Sequence, residues 1–206
     1  MKYQLFFLVM TLCLLTLPAQ GQLNLGMKAD MTLSNYLVEK STNLNSSMNV
    51  GSSTGFFCKY KWYENRVLEM DVKFRYLTSK FKNQSTSETA DFSYFGIEIP
   101  VYSMLQADIG DQILYVGLGP FTSFGLFSRY ESAQRCIDLY HEDPVSRKAT
   151  MLRWDFGVGL IIGYELKCKL QFNYNYHLGF RNLMNDGFEN VIMVSQLNSF
   201  GVGYRF

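Results

Sequence analysis

Few residues in this chain of 206 amino acids could carry out covalent chemistry. It holds only two histidines, His141 and His177, and the serines Ser128 and Ser132 lie close upstream of the first. A serine within hydrogen-bond reach of a histidine is the smallest arrangement that activates a nucleophile, and at a membrane it would make a hydrolase or acyltransferase. The spacing argues against it. His177 falls on the same face as Lys169, Gln171, Asn173, Asn175 and Arg181, where a histidine is ordinarily one member of a polar network. The other three lie in a charged segment, 128–150, reading SRYESAQRCIDLYHEDPVSRKAT. The four cysteines show no CxxC spacing, and two histidines build no ligand cluster. The expectation is no catalytic residue, no enzyme activity, no metal and no cofactor.

The charged residues carry more information. Residues 68–77 read LEMDVKFRYL, in which Glu69, Asp71, Lys73 and Arg75 alternate with Leu68, Met70, Val72, Phe74 and Tyr76. Successive side chains of a strand point to opposite faces, so one face is wholly charged and the other wholly apolar. In 151–166, Leu152, Trp154, Phe156, Val158, Leu160, Ile162, Tyr164 and Leu166 oppose Arg153, Asp155, Glu165 and three glycines. Ile161 is the one apolar residue on that polar face. In 169–181, Leu170, Phe172, Tyr174, Tyr176, Leu178 and Phe180 oppose the face of His177. Weaker alternation at 23–31, 56–62, 95–101 and 196–206 adds Glu98 and Arg205 to the polar set, and 112–127 is a glycine-rich strand of less certain phase. The reading is about eight strands of roughly 10–16 residues each. Pro100 and Pro120 each remove a ladder hydrogen bond, so bulges are expected there.

The links between strands have an order of their own. Short ones fall at 63–65, 108–111 and 167–169, and long ones at about 36–49, 82–92, 128–150 and 182–193. A strict alternation of short and long links is the pattern of an up-and-down barrel spanning a membrane, with tight periplasmic turns and long outer loops. In that setting the apolar rows face lipid and the charges face the interior. A soluble sandwich or a periplasmic ligand-binding barrel would also produce period two, with the faces reversed. The apolar rows, however, are six to eight residues long and heavily aromatic, too bulky to pack inside a small barrel.

Composition agrees with an exported β protein. Aromatic residues make up 16% against 4 prolines, which favours strands. Lys and Arg total 19 against 18 Asp and Glu, a balance that gives no reason to expect nucleic acid as a partner. Residues 1–21 have a lysine near the start, an apolar run from Leu5 to Leu17 and a small-residue site at Ala19-Gln20-Gly21, the layout of a signal peptide. The barrel domain then covers 22–206. Of its three cysteines, Cys58 is expected against lipid and Cys168 in a turn, so no disulfide is expected.

The closing SFGVGYRF places Phe200, Val202, Tyr204 and Phe206 on one face. It resembles the signal that bacterial outer-membrane barrels present to their insertion machinery. The blocks GMKADMTLSNY, YFGIEIPVY, LYVGLGPFTSFGL, RWDFGVGLIIGYEL, YHLGFRNL and FGVGYRF occur in an order similar to that of the PorT-like outer-membrane β-barrel proteins of Bacteroidetes. The resemblance covers essentially the whole chain after the leader and implies an eight-stranded antiparallel barrel in the cell outer membrane. The founding member is associated with gliding and type IX secretion; most relatives have no assigned role, and no functional residues carry over. The expected function is therefore non-enzymatic. A plugged interior holds Glu69, Asp71, Lys73, Arg75, Glu98, Arg153, Asp155, Glu165, Gln171, His177, Arg181 and Arg205 in a polar network, the outer wall meets membrane lipid, and loop 128–150 meets a protein or glycolipid. The alternatives are a lipid-modifying enzyme and a soluble periplasmic ligand-binding barrel.

Overall fold

A computed structural model describes residues 22–39, 44–47, 49–83, 89–132, 135–141, 149–185 and 192–206. The expected signal peptide, 1–21, lies outside the described residues. The strands are β1 (Gln22–Glu39), β2 (Leu44–Ser47), β3 (Asn49–Tyr63), β4 (Arg66–Asn83), β5 (Thr89–Ile109), β6 (Gln112–Ser132), β7 (Arg135–Asp138), β8 (Trp154–Glu165), β9 (Leu170–Gly179) and β10 (Ile192–Arg205). Eight of them, β1, β3, β4, β5, β6, β8, β9 and β10, pair antiparallel in that order, and β10 returns to β1. The ring is closed, and the expected eight-stranded barrel is the observed architecture. The short β2 and β7, not anticipated from the sequence, pair with the upper ends of β4 and β6.

The register fixes the shape. A path across the ring leaves Gln22 and passes through Lys61, Val67, Met104, Gly117, Ile161, Asn175 and Ser199 to reach Thr32. It returns to β1 ten residues further along. Such a stagger over eight strands requires them to tilt by about 40°.

Tight turns at Glu64-Asn65, Gly110-Asp111 and 166–169 gather at one end. Gly110 has φ +65°, which a two-residue hairpin turn demands and a residue without Cβ adopts at no steric cost. At the other end the strands outrun expectation. β5 and β6 have 21 residues each, where about 9–11 cross the hydrocarbon. They project beyond the bilayer, so β6 and β7 absorb part of the segment read as a loop at 128–150. The bulges expected at the prolines are absent: register is unchanged from Pro100↔Phe121 to Ser103↔Leu118 and continuous through Pro120. The shift falls at Phe95/Gly96 instead.

The apolar rows point outward. Leu68, Met70, Phe74, Tyr76, Trp154, Phe156, Phe172 and Phe200 are all exposed, while Glu69, Asp71, Lys73 and Arg75 are buried. This overturns the soluble alternative, which needs those rows inside. Aromatic residues mark both edges of the oily band. Near the long-loop end Tyr76, Phe95 and Phe127 are register neighbours and Trp154 packs edge-on against Phe124 at 5.2 Å. Near the tight turns stand Trp62, Tyr63, Tyr204 and Phe206. Girdles of this kind sit at the two membrane interfaces.

Candidate functional site

The interior is built from the polar faces of all eight strands. Its main feature is a run of charges alternating in sign. Arg205 donates to Glu165 (2.7 Å from Nε, 2.6 Å from Nη2), and Gln171 donates to the other oxygen of Glu165 at 2.8 Å. Lys59 lies 3.7 Å from Glu165 and 3.3 Å from Glu69. Lys28 pairs closely with Glu69 and reaches Asp71 at 3.4 Å. Lys73 joins Asp71 at 3.4 Å to Asp30 at 3.0 Å. Asp30 also accepts from Ser53 and Asn173, at 3.1 and 3.2 Å.

Local sequence explains why these groups can meet. Lys28 on β1 and Lys73 on β4 face Gly55 of the intervening β3, so no side chain separates the charges of β1 from those of β4. A Cβ at that glycine would lie 2.1 Å from the Val72 carbonyl. Alternation alone singled out Glu69, Asp71, Lys73 and Glu165 but not Lys28, Asp30 or Lys59. The signal for these three was present in the weaker rows, where Lys28 and Asp30 separate Met27, Ala29 and Met31, and Lys59 separates Cys58 from Tyr60.

Above the run sits a second cluster. Arg75 forms a two-pronged pair with Glu98, the Nη2 arm at 2.6 Å. Glu98 lies 3.2 Å from His177 Nδ1, and His177 Nε2 contacts the Tyr102 hydroxyl. The imidazole stacks on Phe121 with centroids 4.9 Å apart. It has room because its neighbour on β8 is Gly159, where a Cβ would stand 2.6 Å from Cδ2 of the ring. Asp155 is buried higher up and accepts from the Ser195 hydroxyl and the Phe156 N–H. Arg153 and Arg181 are placed differently from the others. Arg153 precedes β8 and is exposed, its guanidinium 4.8 Å above the Tyr140 ring; Arg181 is half-buried beyond the end of β9.

At the long-loop end the interior changes character. Leu77, Phe92, Tyr94, Tyr140, Met151, Leu183, Met193 and Leu197 form one buried apolar cluster, with Leu139 and Met184 packed against it. Residues 139–140 and 151 are held over the mouth by backbone bonds from Leu139 N–H to Ser128 C=O, 3.0 Å, and from Met151 N–H to Leu139 C=O, 3.0 Å. Burial pushes the Tyr140 phenol well above its ordinary pKa. Between this cluster and Arg75, Glu98 and Asp155 lies a cavity of about 30 Å³, enough for a water and too small for a substrate.

The residues considered for acyl transfer do not come together. His177 is buried among Tyr102, Phe121 and Glu98, whereas Ser128 donates weakly to the Met151 sulfur at 3.5 Å. His141 is exposed on a bend, and the Ser132 side chain falls outside the described residues. Phe200, Val202, Tyr204 and Phe206 share the exposed face of β10 and its end. Cys58, Cys136 and Cys168 are all free thiols.

Comparison with known proteins agrees with this geometry. A family model described as an outer membrane protein beta-barrel domain matches residues 18–185. The structure is similar to that of OprG from Pseudomonas aeruginosa, with TM-score 0.50 and 13% identity over 89% of this chain and 95% of that one. It is also similar to Neisserial surface protein A (TM-score 0.45, 14% identity, 88% and 97% covered) and to the attachment invasion locus protein of Yersinia pestis (0.44, 11%, 89% and 98%). At such identities the likeness speaks to fold alone, and no curated protein matches. An oily outer wall, two aromatic girdles and a closed ring of eight tilted strands place the protein in the outer membrane, and the chain belongs to the outer membrane protein beta-barrel domain family.

Proposed function

We propose that this is a non-enzymatic outer-membrane protein with a plugged interior, whose extracellular face, centred on residues 128–150, contacts a protein or surface glycolipid. Residues 1–21 serve as a cleaved leader, and the aromatic row from Phe200 to Phe206 is presented to the insertion machinery. By the resemblance of its sequence blocks it sits among the PorT-like proteins of Bacteroidetes, with a role linked to secretion or envelope assembly.

The observation that carries the plug is the run from Arg205 to Asp30, in which every acid has a cation within 3.7 Å. Opposite charges clamped across a narrow interior leave neither an ion path nor a wide aqueous one, since eight strands give a lumen that side chains can fill. The apolar cluster over the mouth adds a second obstruction. The test is conductance in planar bilayers. Purified barrel should give no large steady current, and a stable open level of nanosiemens size would overturn the plug. Unchanged lipid A profiles in His177→Ala and His141→Ala strains are expected, and a change would revive the acyl-transfer alternative.

A further inference from the structure

The tight-turn end of the interior opens on a pocket of about 180 Å³ lined by Asn24, Lys59, Lys61, Gln106, Glu165 and Arg205, among others. At roughly 30 Å³ per water it has room for about six waters, or for a group the size of a small organic acid.

Its charges do not balance. In the run above it, Arg205, Lys59, Lys28 and Lys73 match Glu165, Glu69, Asp71 and Asp30 one for one. Lys61 is a further cation, half-buried at the mouth and without an acid in ion-pair range among the described residues. The Lys59 side chain is 4% exposed, and its ammonium lies near two carboxylates but has no partner in hydrogen-bond geometry. Arg205 is already committed, with Nε and Nη2 to Glu165 and Nη1 to Asn24 at 3.1 Å. Among the described residues Glu165 is the one acid lining the pocket, and Arg205 and Gln171 engage both its oxygens.

We propose that this periplasmic mouth binds a carboxylate, held between the ammonium groups of Lys61 and Lys59. One surplus cation selects a monoanion. A phosphate dianion would need a second surplus cation, which Arg205 cannot supply while it holds Glu165, and a neutral ligand would leave Lys59 as it is. The carboxylate is that of a free small acid or the terminus of an extended peptide.

The intact barrel, purified in micelles with its lysine side chains labelled with ¹⁵N, is titrated with propionate, tetraglycine, tetraglycine amide and inorganic phosphate. The expected result is saturable, millimolar movement of the Lys61 and Lys59 signals with the two carboxylates. Lys61→Gln should weaken it at least about tenfold, or about 1.4 kcal/mol, Lys61→Arg should retain it, and the amide should cause none. Tetraglycine binding about tenfold tighter than propionate assigns the site to peptide ends, and equal affinity assigns it to free acids. The proposal is overturned if neither acid saturates below roughly 100 mM, if the amide binds as well as the acid, if phosphate binds tighter than both, or if folded Lys61→Gln binds unchanged.

Discussion

The two halves of the interior differ in whether they bury ions. From Arg205 up to Glu98 the inward faces carry ions set against buried Phe57, Val67, Met104, Tyr115 and Ile161, while beyond Leu77 and Leu197 the buried cluster is leucine, methionine, phenylalanine and tyrosine. The outer wall reverses with them, from Phe56, Met70 and Phe172 low down to exposed Asp91, Arg129, Glu131 and Asp138 high up. The solvent outside explains both. Surrounded by hydrocarbon, a strand must hide its polar face; surrounded by water, it must hide its apolar one. The level at which polarity inverts is therefore the outer surface of the bilayer, written most plainly into β5, where Asp91 and Ser93 face out and Phe92 and Tyr94 face in.

The strongest challenge to this comparison is to unpair a charge in the lower half. Arg75→Leu takes the guanidinium from Glu98, leaving His177 at 3.2 Å as its ion-pair neighbour among the described residues, and should lower stability by about 3–5 kcal/mol in urea unfolding from lipid vesicles followed by tryptophan fluorescence. A loss below about 1 kcal/mol would mean that water reaches the pair. Next comes a cation on the wall. Phe56→Arg, halfway along β3, should cost about 2–4 kcal/mol, while Phe127→Arg, at the upper girdle, should cost about 0–1. Equal costs would erase the inferred boundary. In the upper half, Met151→Ala should loosen only the cover, by about 2 kcal/mol. Limited proteolysis should then cut at 139–151 with the urea midpoint of the barrel unmoved. Smallest of all is Lys167→Ala, which removes the 2.5 Å pair with Asp111 on the exposed turns. That should change stability by less than about 1 kcal/mol.

Legibility in the sequence followed the same boundary. Within the bilayer the two faces of each strand differ as sharply as residues can, so LEMDVKFRYL and the stretches after Trp154 and Leu170 announce strands, phase and fold class together. Above it the polarity of the faces inverts, with Asp91 and Ser93 outward against Phe92 and Tyr94 inward on β5, and long polar links read as loops hid several residues at each strand end and the whole of β2 and β7. Pairing partners were a different matter. Period two says that Lys73 is inward, but only the registers of β1 and β4 on the intervening β3 bring it to Asp30, 43 positions earlier in the chain. Arg153 shows the limit of phase alone: it lies in step with Asp155, yet β8 begins one residue later and its side chain turns up to Tyr140.

The seam between β1 and β10 has a kinetic meaning. It joins the first and last barrel strands through fourteen residue pairs, from Gly26↔Arg205 to Glu39↔Ile192. None of those pairs can form before both strands have been delivered, and an unclosed sheet in hydrocarbon bares two rows of amides with nothing to bond. Assembly is thus a long-range closure that pays its loop entropy up front and completes late. A chain interrupted short of β10 has no partial refuge in the membrane, so turnover of stalled molecules must begin while they are still on the periplasmic side.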